Sequence, residues 1–149
     1  MSINYPKPHY GSTSEYQVSS WPYVTASLAD ELTTTPLRIT FPYSTRWINV
    51  QNMDDENIRV GFSRNGVQAT ETANYFTVGP IGGAGDFNNA GNSSGILELK
   101  CSELWLRTDS GTGTFRIVAG LTNVKRGRFP VLTASDGPEG VTGGFIGVG

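Results

Sequence analysis

Three short stretches decide the fold: LRITF at residues 37–41, WINVQ at residues 47–51 and IRVGFS at residues 58–63. In each of them, one face carries large apolar residues and the other carries polar or small ones, except for Trp47 on the outer face of the second stretch. A period of two is expected of a β-strand that has one buried face and one solvated face. The polar run at residues 52–57 predicts a turn between the second and third strands.

The same pattern continues along the chain. Further short strands are predicted at Tyr75–Val78, Ile96–Leu99, Glu103–Arg107 and Phe115–Ala119. Arg64-Asn65-Gly66 predicts a tight hairpin turn, because Asn-Gly tolerates the positive φ that such turns require. A single helical turn is predicted at Ser27–Leu32, with Ser27 as its cap. Seven or eight strands separated by turns imply an all-β protein, an antiparallel β-sandwich or jelly roll.

The inward positions of these strands predict the core. Each large side chain that is fully buried contributes about 1.5–3 kcal/mol before the entropy cost of folding is subtracted. The predicted core residues are Leu37, Ile39, Phe41, Ile48, Val50, Ile58, Val60, Phe62, Leu104, Leu106, Phe115 and Ile117.

The chain of 149 residues divides into three zones within one domain. Residues 36–123 carry the strand patterns and predict the β-sandwich body. Residues 1–35 are rich in Pro and aromatic residues, and predict an extended N-terminal arm. Residues 124–149 combine many glycines with scattered apolar side chains and predict a Gly-rich C-terminal arm. Because such ends would be prone to aggregation if left free, we expect both arms to lie on other molecules.

Composition argues against several classes of function. The net charge of −2 offers no field of one sign to attract nucleic acid or an anionic membrane. The first residues lack the basic start and apolar run of a signal peptide, and no stretch has the roughly 18 apolar residues needed to span a bilayer. We therefore expect no nucleic acid, no membrane, and use of the protein without export.

The sequence has one candidate general base and one candidate thiol nucleophile, and neither has neighbours in sequence that would support catalysis. His9 is the only histidine and lies among prolines, where no local group would orient it as a general base. Cys101 is the only cysteine, which excludes an internal disulfide and a Cys-rich zinc site. A buried, unreactive thiol is the favoured interpretation of Cys101, because a reactive thiol needs a nearby cation or helix N-terminus to lower its pKa.

The carboxylates and glycines allow weaker alternatives. The Asp54-Asp55-Glu56 cluster could bind Ca²⁺, but a solvated acidic turn is favoured. Glu98, Glu103 and Asp109 could include a glycosidase pair, although the sequence shows no cleft that would hold it. The loop at Gly79–Gly85 lacks the Gly-Lys-Ser/Thr ending of a phosphate loop. We therefore expect no cofactor, no metal, no catalytic residue and no enzymatic activity.

Two tryptophans offer a rival function. Trp47 and Trp105 fall on the outward faces of their predicted strands. Exposed tryptophans of β-sandwiches can stack on sugars, so a carbohydrate-binding module is an alternative. The favoured interpretation is that a second protein surface covers these positions.

The run ILELKCSELWLRTDSGTGTFRIVAGLTNV (residues 96–124) resembles small β-sandwich virion proteins of tailed bacteriophages, and residues 39–66 fit the same style. The resemblance covers about 85 residues of the chain. It implies a non-enzymatic virion structural protein located on the capsid surface and made in the host cytoplasm. The role that it implies is a head decoration (cement) protein that stabilises the head by binding the major capsid protein and copies of itself, with a homotrimer favoured. A component of the phage tail, neck or fibre is the alternative.

In this interpretation the arms supply the contacts. The expected partner-binding residues are Tyr5, Tyr10, Trp21 and Tyr23 in the N-terminal arm and Arg126, Arg128, Phe129 and Phe145 in the C-terminal arm. An oligomer that bridges several partners gains affinity without any new kind of contact.

Overall fold

The computed structural model describes residues 21–28, 31–69, 73–80 and 92–129. Seven β-strands and one short α-helix make up the described fold, and a 3₁₀ turn at Arg126–Arg128 follows the last strand. The strands are β1 (Trp21–Ala26), β2 (Leu37–Thr40), β3 (Tyr43–Asn52), β4 (Ile58–Gly61), β5 (Tyr75–Val78), β6 (Glu103–Thr108) and β7 (Phe115–Lys125), and the helix α1 (Arg64–Gln68) lies between β4 and β5.

The strands form two antiparallel sheets. A three-stranded sheet has the order β1-β7-β3, and a four-stranded sheet has the order β2-β6-β4-β5. The apolar faces of both sheets contribute to one hydrophobic core. The fold is therefore an all-β antiparallel sandwich, as the alternation of apolar and polar residues predicts.

The predicted core is confirmed. Nine of its members are buried, and Leu37, Ile39 and Phe62 are partly buried and pack against them. The structure adds Leu32, Val78, Leu121 and Val124 to the buried apolar residues. Leu121 and Val124 become available because β7 continues to Lys125, beyond the strand end predicted at Ala119.

An extended segment, residues 92–101, runs along β3. The backbones of Ile48 and Leu97 exchange two hydrogen bonds of 2.9 and 2.8 Å, and the Thr45 N–H donates to the Cys101 carbonyl at 2.9 Å. The strand predicted at Ile96–Leu99 is therefore extended and paired, but it forms only isolated bridges. The ladder is interrupted because the Val50 N–H donates to the Ser94 hydroxyl at 2.9 Å and not to a carbonyl.

One buried side chain, Asn52, joins the two sheets. It lies at the end of β3, and its amide nitrogen contacts the carbonyls of Glu56 (2.6 Å), Val78 (3.2 Å) and Gly79 (3.0 Å). Its side-chain oxygen accepts the Asp54 N–H at 3.0 Å. Since Val78 ends a strand of the other sheet, Asn52 connects the end of the three-stranded sheet to the end of the four-stranded sheet.

The hairpin turn predicted at Arg64-Asn65-Gly66 is wrong. These residues begin α1, because the Ser63 hydroxyl accepts the Gly66 N–H at 2.9 Å and caps the helix. The helix ends at Gln68, and the following Ala69 has a left-handed conformation with φ of 54°. A short helix therefore lies where the sequence predicts a turn.

The start of the body also differs from the prediction. Trp21–Ala26, placed in the N-terminal arm by its sequence, forms β1 and pairs with β7 along its whole length. The hydroxyl of Ser27, predicted to cap a helical turn, accepts the Phe115 N–H at 2.9 Å. The sheets therefore include residues before 36 and after 123. Residues 1–20, 29–30 and 130–149 of the predicted arms lie outside the described residues.

Candidate functional site

The predicted N-terminal contacts divide into two groups. Tyr5 and Tyr10 lie outside the described residues. Tyr23 packs into the sandwich, where its ring meets that of Phe41 edge-on at 5.0 Å. Trp21 stacks on Tyr43 at 6.3 Å and donates its indole N–H to Asn123 at 3.2 Å, yet remains 53% exposed. Of this pair, Trp21 offers the larger surface to another molecule.

The predicted C-terminal contacts are partly engaged within the chain. The Arg126 guanidinium bonds to Glu103 at 3.2 Å, and its backbone N–H donates to the Pro42 carbonyl at 3.1 Å. Phe129 is half-buried, and its N–H donates to the carbonyl of Arg126 at 3.0 Å. Arg128 is exposed, and Phe145 lies outside the described residues. Arg126 therefore holds the end of β7 against the body.

Glu103 is the centre of a polar cluster on the four-stranded sheet. It is buried, and its carboxylate accepts hydrogen bonds from Arg38 (3.0 Å from Nε), Arg126 and the indole of Trp105 (3.1 Å). The Arg38 guanidinium lies over the Trp105 ring at 5.7 Å from its centroid. Trp105 is on the outward face, as predicted, but its ring and its N–H are both engaged. The structure therefore leaves less of Trp105 for a sugar than the sequence predicts.

The other carboxylates predicted as catalytic candidates are also engaged by arginines. Asp109 pairs with Arg59, whose guanidinium also lies 4.5 Å from the ring centroid of Tyr75. Glu98 is mostly exposed and lies 3.2 Å from Arg46. Each carboxylate thus has its own cationic partner, which is the arrangement of structural ion pairs.

The acidic turn is held by local hydrogen bonds. Asp54 accepts the Asp55 N–H at 2.9 Å and the Thr114 hydroxyl at 3.2 Å, while Glu56 accepts the Ser110 hydroxyl at 2.8 Å. The backbone N–H of Asp55 is the main cause of the lowered pKa of Asp54. Within the described ranges, no group of three His, Cys, Asp or Glu side chains could hold a metal ion.

Cys101 is buried, as predicted. Burial is the main cause that raises the pKa of its thiol to about 12. The Thr45 hydroxyl accepts the Cys101 N–H at 3.0 Å and lies 3.6 Å from its sulfur. A thiol with this pKa is protonated at neutral pH and is a poor nucleophile. His9 and residues 81–85 of the glycine loop lie outside the described residues.

A surface that the sequence analysis missed lies on the three-stranded sheet. Its outward positions place Val24, Val118 and Asn49 side by side, and the bridge between Ile48 and Leu97 adds Ile96 to this row. Val24 is 65% exposed and Ile96 is 70% exposed. The neighbouring outward position of β3 holds Trp47, which is half-buried. We call this surface, defined by Val24, Val118, Trp47 and Ile96, the three-stranded face.

Asn49 attaches the Ile96 end of this face to β3. Its side-chain nitrogen donates to the Ser93 hydroxyl at 2.8 Å and to the Gly95 carbonyl at 2.9 Å. Gly95 has φ of +69°, which turns the backbone directly before Ile96. The exposed isoleucine is thus presented from a fixed turn.

Comparisons with models of known protein families, with curated proteins and with solved structures found no match. In the part of the chain that the structure describes, no helix has the length and apolar content required to cross a bilayer. The function must therefore be inferred from the residues of this chain.

Proposed function

We propose that this chain is a virion structural protein, most simply a capsid decoration protein that binds the major capsid protein as a homo-oligomer. The observation that carries the proposal is the three-stranded face, where Val24 and Ile96 keep 65% and 70% of their surfaces exposed. Exposed apolar patches on a folded domain are typical of protein-binding surfaces. In this proposal the protein acts by contact and is not an enzyme.

The assignment to a virus particle is supported by the resemblance of residues 96–124 to phage virion proteins. In the structure this run supplies β6 and β7, which are inner strands of the two sheets. The resemblance favours a homotrimer on the capsid surface. Because each subunit of an oligomer binds its own site, several weak contacts add up to stable attachment.

Under this proposal, the experiment uses empty shells of the major capsid protein encoded in the same genome as this chain. Purified wild-type protein is expected to sediment with the shells. Ile96→Asp places a charge on the three-stranded face and is expected to weaken binding at least about tenfold, which corresponds to about 1.4 kcal/mol. Thr77→Asp, at an exposed position of β5 on the other sheet, is the matched control and should bind like the wild type.

Two results would contradict the proposal. Wild-type protein that fails to bind shells but binds isolated tails would assign it to the tail, neck or fibre. Equal loss of binding in Ile96→Asp and Thr77→Asp would show that the three-stranded face is not the contact.

The carbohydrate-binding alternative now depends mainly on Trp47, because Trp105 is engaged by Arg38 and Glu103. Saturable quenching of tryptophan fluorescence by a sugar, abolished in Trp47→Ala, would favour that alternative. We expect no such quenching, because our proposal assigns Trp47 to a protein contact.

A further inference from the structure

The two edges of the three-stranded sheet differ in whether another segment of the described chain pairs with them. The β3 border is covered by residues 92–101, which bond to β3 from Thr45 to Asn52. The β1 border is the other edge of the sheet, and among the described residues no strand pairs with it. This unpaired border of β1 is called the β1 edge below.

The hydrogen-bond groups of the β1 edge can be assigned from the pairing. The Ser27 N–H donates to the Phe115 carbonyl at 3.1 Å, so Ser27 directs its backbone groups towards β7. Because successive residues of an antiparallel strand alternate in this respect, Tyr23 and Thr25 also bond to β7. The backbone groups of Pro22, Val24 and Ala26 therefore point outward, away from the sheet.

The β1 edge lacks the usual protection against pairing. Edge strands are commonly short or carry charged residues that discourage association. β2 and β5 have four residues each, and β2 carries Arg38. β1 has six residues, WPYVTA, none of them charged, and Pro22 is its only protective residue. Proline removes one N–H donor but leaves its carbonyl free to accept a hydrogen bond.

We propose that a second copy of this chain pairs antiparallel with the β1 edge, across a twofold axis through Val24. The inference deepens the proposed function, since it rests on the chain being an assembly protein and names one of its partners. An identical edge is a suitable partner because it brings no like charges together and offers the same alternating donors and acceptors. The two three-stranded sheets then form one continuous sheet.

The backbone groups fit this register. The two Val24 residues exchange hydrogen bonds across the axis, and each Ala26 N–H donates to the Pro22 carbonyl of the other copy. Proline at position 22 supplies the carbonyl for one of the two hydrogen bonds of this pair, and the Ala26 carbonyl of the other copy has no backbone donor opposite it.

Exposed apolar side chains at the two ends of the strand also favour the antiparallel direction. Trp21 begins β1 and is 53% exposed, and Leu28 follows the end of β1 and is 81% exposed. In this register Trp21 lies opposite Ser27 of the other copy, next to its Leu28. Each end of the pairing thus places one exposed tryptophan and one exposed leucine at neighbouring backbone positions.

A twofold contact produces an even number of copies. The inference therefore replaces the expected trimer with a dimer, or with a larger assembly built from dimers. The full-length wild-type chain is expected to show a solution mass of twice the 16.0 kDa of one chain at micromolar concentration and above. Analytical ultracentrifugation over a range of concentrations measures this mass.

Two matched lysine variants locate the contact. Val24→Lys is expected to shift the mass to that of one chain, because it brings two like charges together on the axis. Thr77→Lys, at an exposed position on the β5 edge, is expected to keep the wild-type mass. Circular dichroism should show the same β-sheet signal in all three proteins, which separates loss of pairing from loss of fold.

A cysteine variant tests the register. Cα atoms of hydrogen-bonded antiparallel pairs lie about 5.5 Å apart, within the roughly 4.4–6.8 Å range of disulfides. Val24→Cys is therefore expected to form a covalent dimer on mild oxidation, whereas Thr77→Cys is not. The buried Cys101 should not compete.

A wild-type chain with the mass of one copy at all concentrations would overturn the inference, as would dimers that persist in Val24→Lys. Shell binding tests the proposed function separately, through Ile96→Asp. If the protein has the solution mass of one chain and still binds shells, only the β1 pairing is overturned. A paired chain that binds no shells would overturn only the proposed function.

Discussion

The outer faces of the two sheets differ in how their own chain covers them. On the four-stranded sheet, α1 lies over Gly61, and arginines pair with Glu103 and Asp109 and lie over the rings of Trp105 and Tyr75. On the three-stranded sheet, Val24 and Ile96 remain largely exposed and the β1 edge lacks a pairing strand among the described residues.

This difference suggests separate roles for the two sheets: the four-stranded sheet stabilises the fold, and the three-stranded sheet offers a surface for binding. Side chains of the four-stranded sheet satisfy one another, so mutations there should act mainly on the free energy of unfolding. Exposed apolar groups of the three-stranded sheet gain little from their own chain, so mutations there should act mainly on binding to other chains.

The largest effect is expected where the two sheets are joined. Asn52→Leu leaves the carbonyls of Glu56, Val78 and Gly79 without their buried donor. We expect the free energy of unfolding to fall by about 3 kcal/mol, since each unsatisfied buried group costs roughly 1–3 kcal/mol. Urea denaturation measures this change. Asn57→Leu, at an exposed site in the following turn, should stay within about 0.5 kcal/mol of the wild type.

The helix cover of the four-stranded sheet is tested at Gly61. A Cβ atom added there would lie 2.7 Å from a methyl group of Val67 and 3.0 Å from the Asn74 carbonyl oxygen. Gly61→Ala is expected to destabilise the fold by about 2 kcal/mol, because the added methyl group must push Val67 of α1 and the backbone at Asn74 away from β4. Gly127→Ala is the control, since a Cβ there meets nothing within 4 Å. Equal stabilities for the two variants would contradict the close packing of α1 on the sheet.

The pH dependence of stability tests whether residues 92–101 cover the edge of β3. Residues 92–101 end at Cys101, whose thiol pKa is raised from 9.0 to about 12. Unfolded chains lose this proton at lower pH than folded chains, so stability falls as pH rises from about 9 towards 12, by up to about 1.4 kcal/mol per pH unit. The slope in Cys101→Ala should be shallower by that amount. Identical slopes would mean that water reaches the thiol and that the β3 border is open.

The smallest effect on stability is expected from replacing glutamate with glutamine, once at Glu103 on the four-stranded sheet and once at Glu98 beside the three-stranded sheet. Glu103→Gln replaces a buried carboxylate, which two arginines bind, with a neutral amide. We expect the free energy of unfolding to fall by only about 1 kcal/mol, because both arginines are partly solvated. Glu98→Gln alters the exposed pair with Arg46 and should cost less than about 0.5 kcal/mol. Thermal unfolding of both variants compares them. A larger loss in Glu98→Gln would contradict the division between the sheets.

Much of the body could be predicted from the sequence, because burial on one face imposes a period of two. The strand at Tyr75–Val78 was predicted with its observed ends, and those at β2 and β6 to within one residue. β1 was missed because Pro22 argues against a strand, although the aromatic residues around it are common in strands. Only the edge position of β1, where an outward N–H is not needed, explains why proline is tolerated.

The candidate site could be predicted only in part. The outward position of Trp105 follows from alternation, but its cover by Arg38 depends on the register between β2 and β6, which one sequence does not reveal. Likewise, Arg126 meets Glu103 only because the end of β7 lies close to the start of β6. The exposed row of Val24 and Ile96 joins residues that are far apart in sequence, and no local pattern signals it.

The central claim is that the β1 edge, with which no described strand of its own chain pairs, is closed by another protein chain. Amide hydrogen exchange, measured by NMR at low and high protein concentration, tests it most directly. We predict that Tyr23 and Thr25 exchange slowly throughout, whereas Val24 and Ala26 exchange rapidly when dilute and slowly when concentrated. Val24 and Ala26 amides that exchange at one rate, fast or slow, across all concentrations would contradict the account.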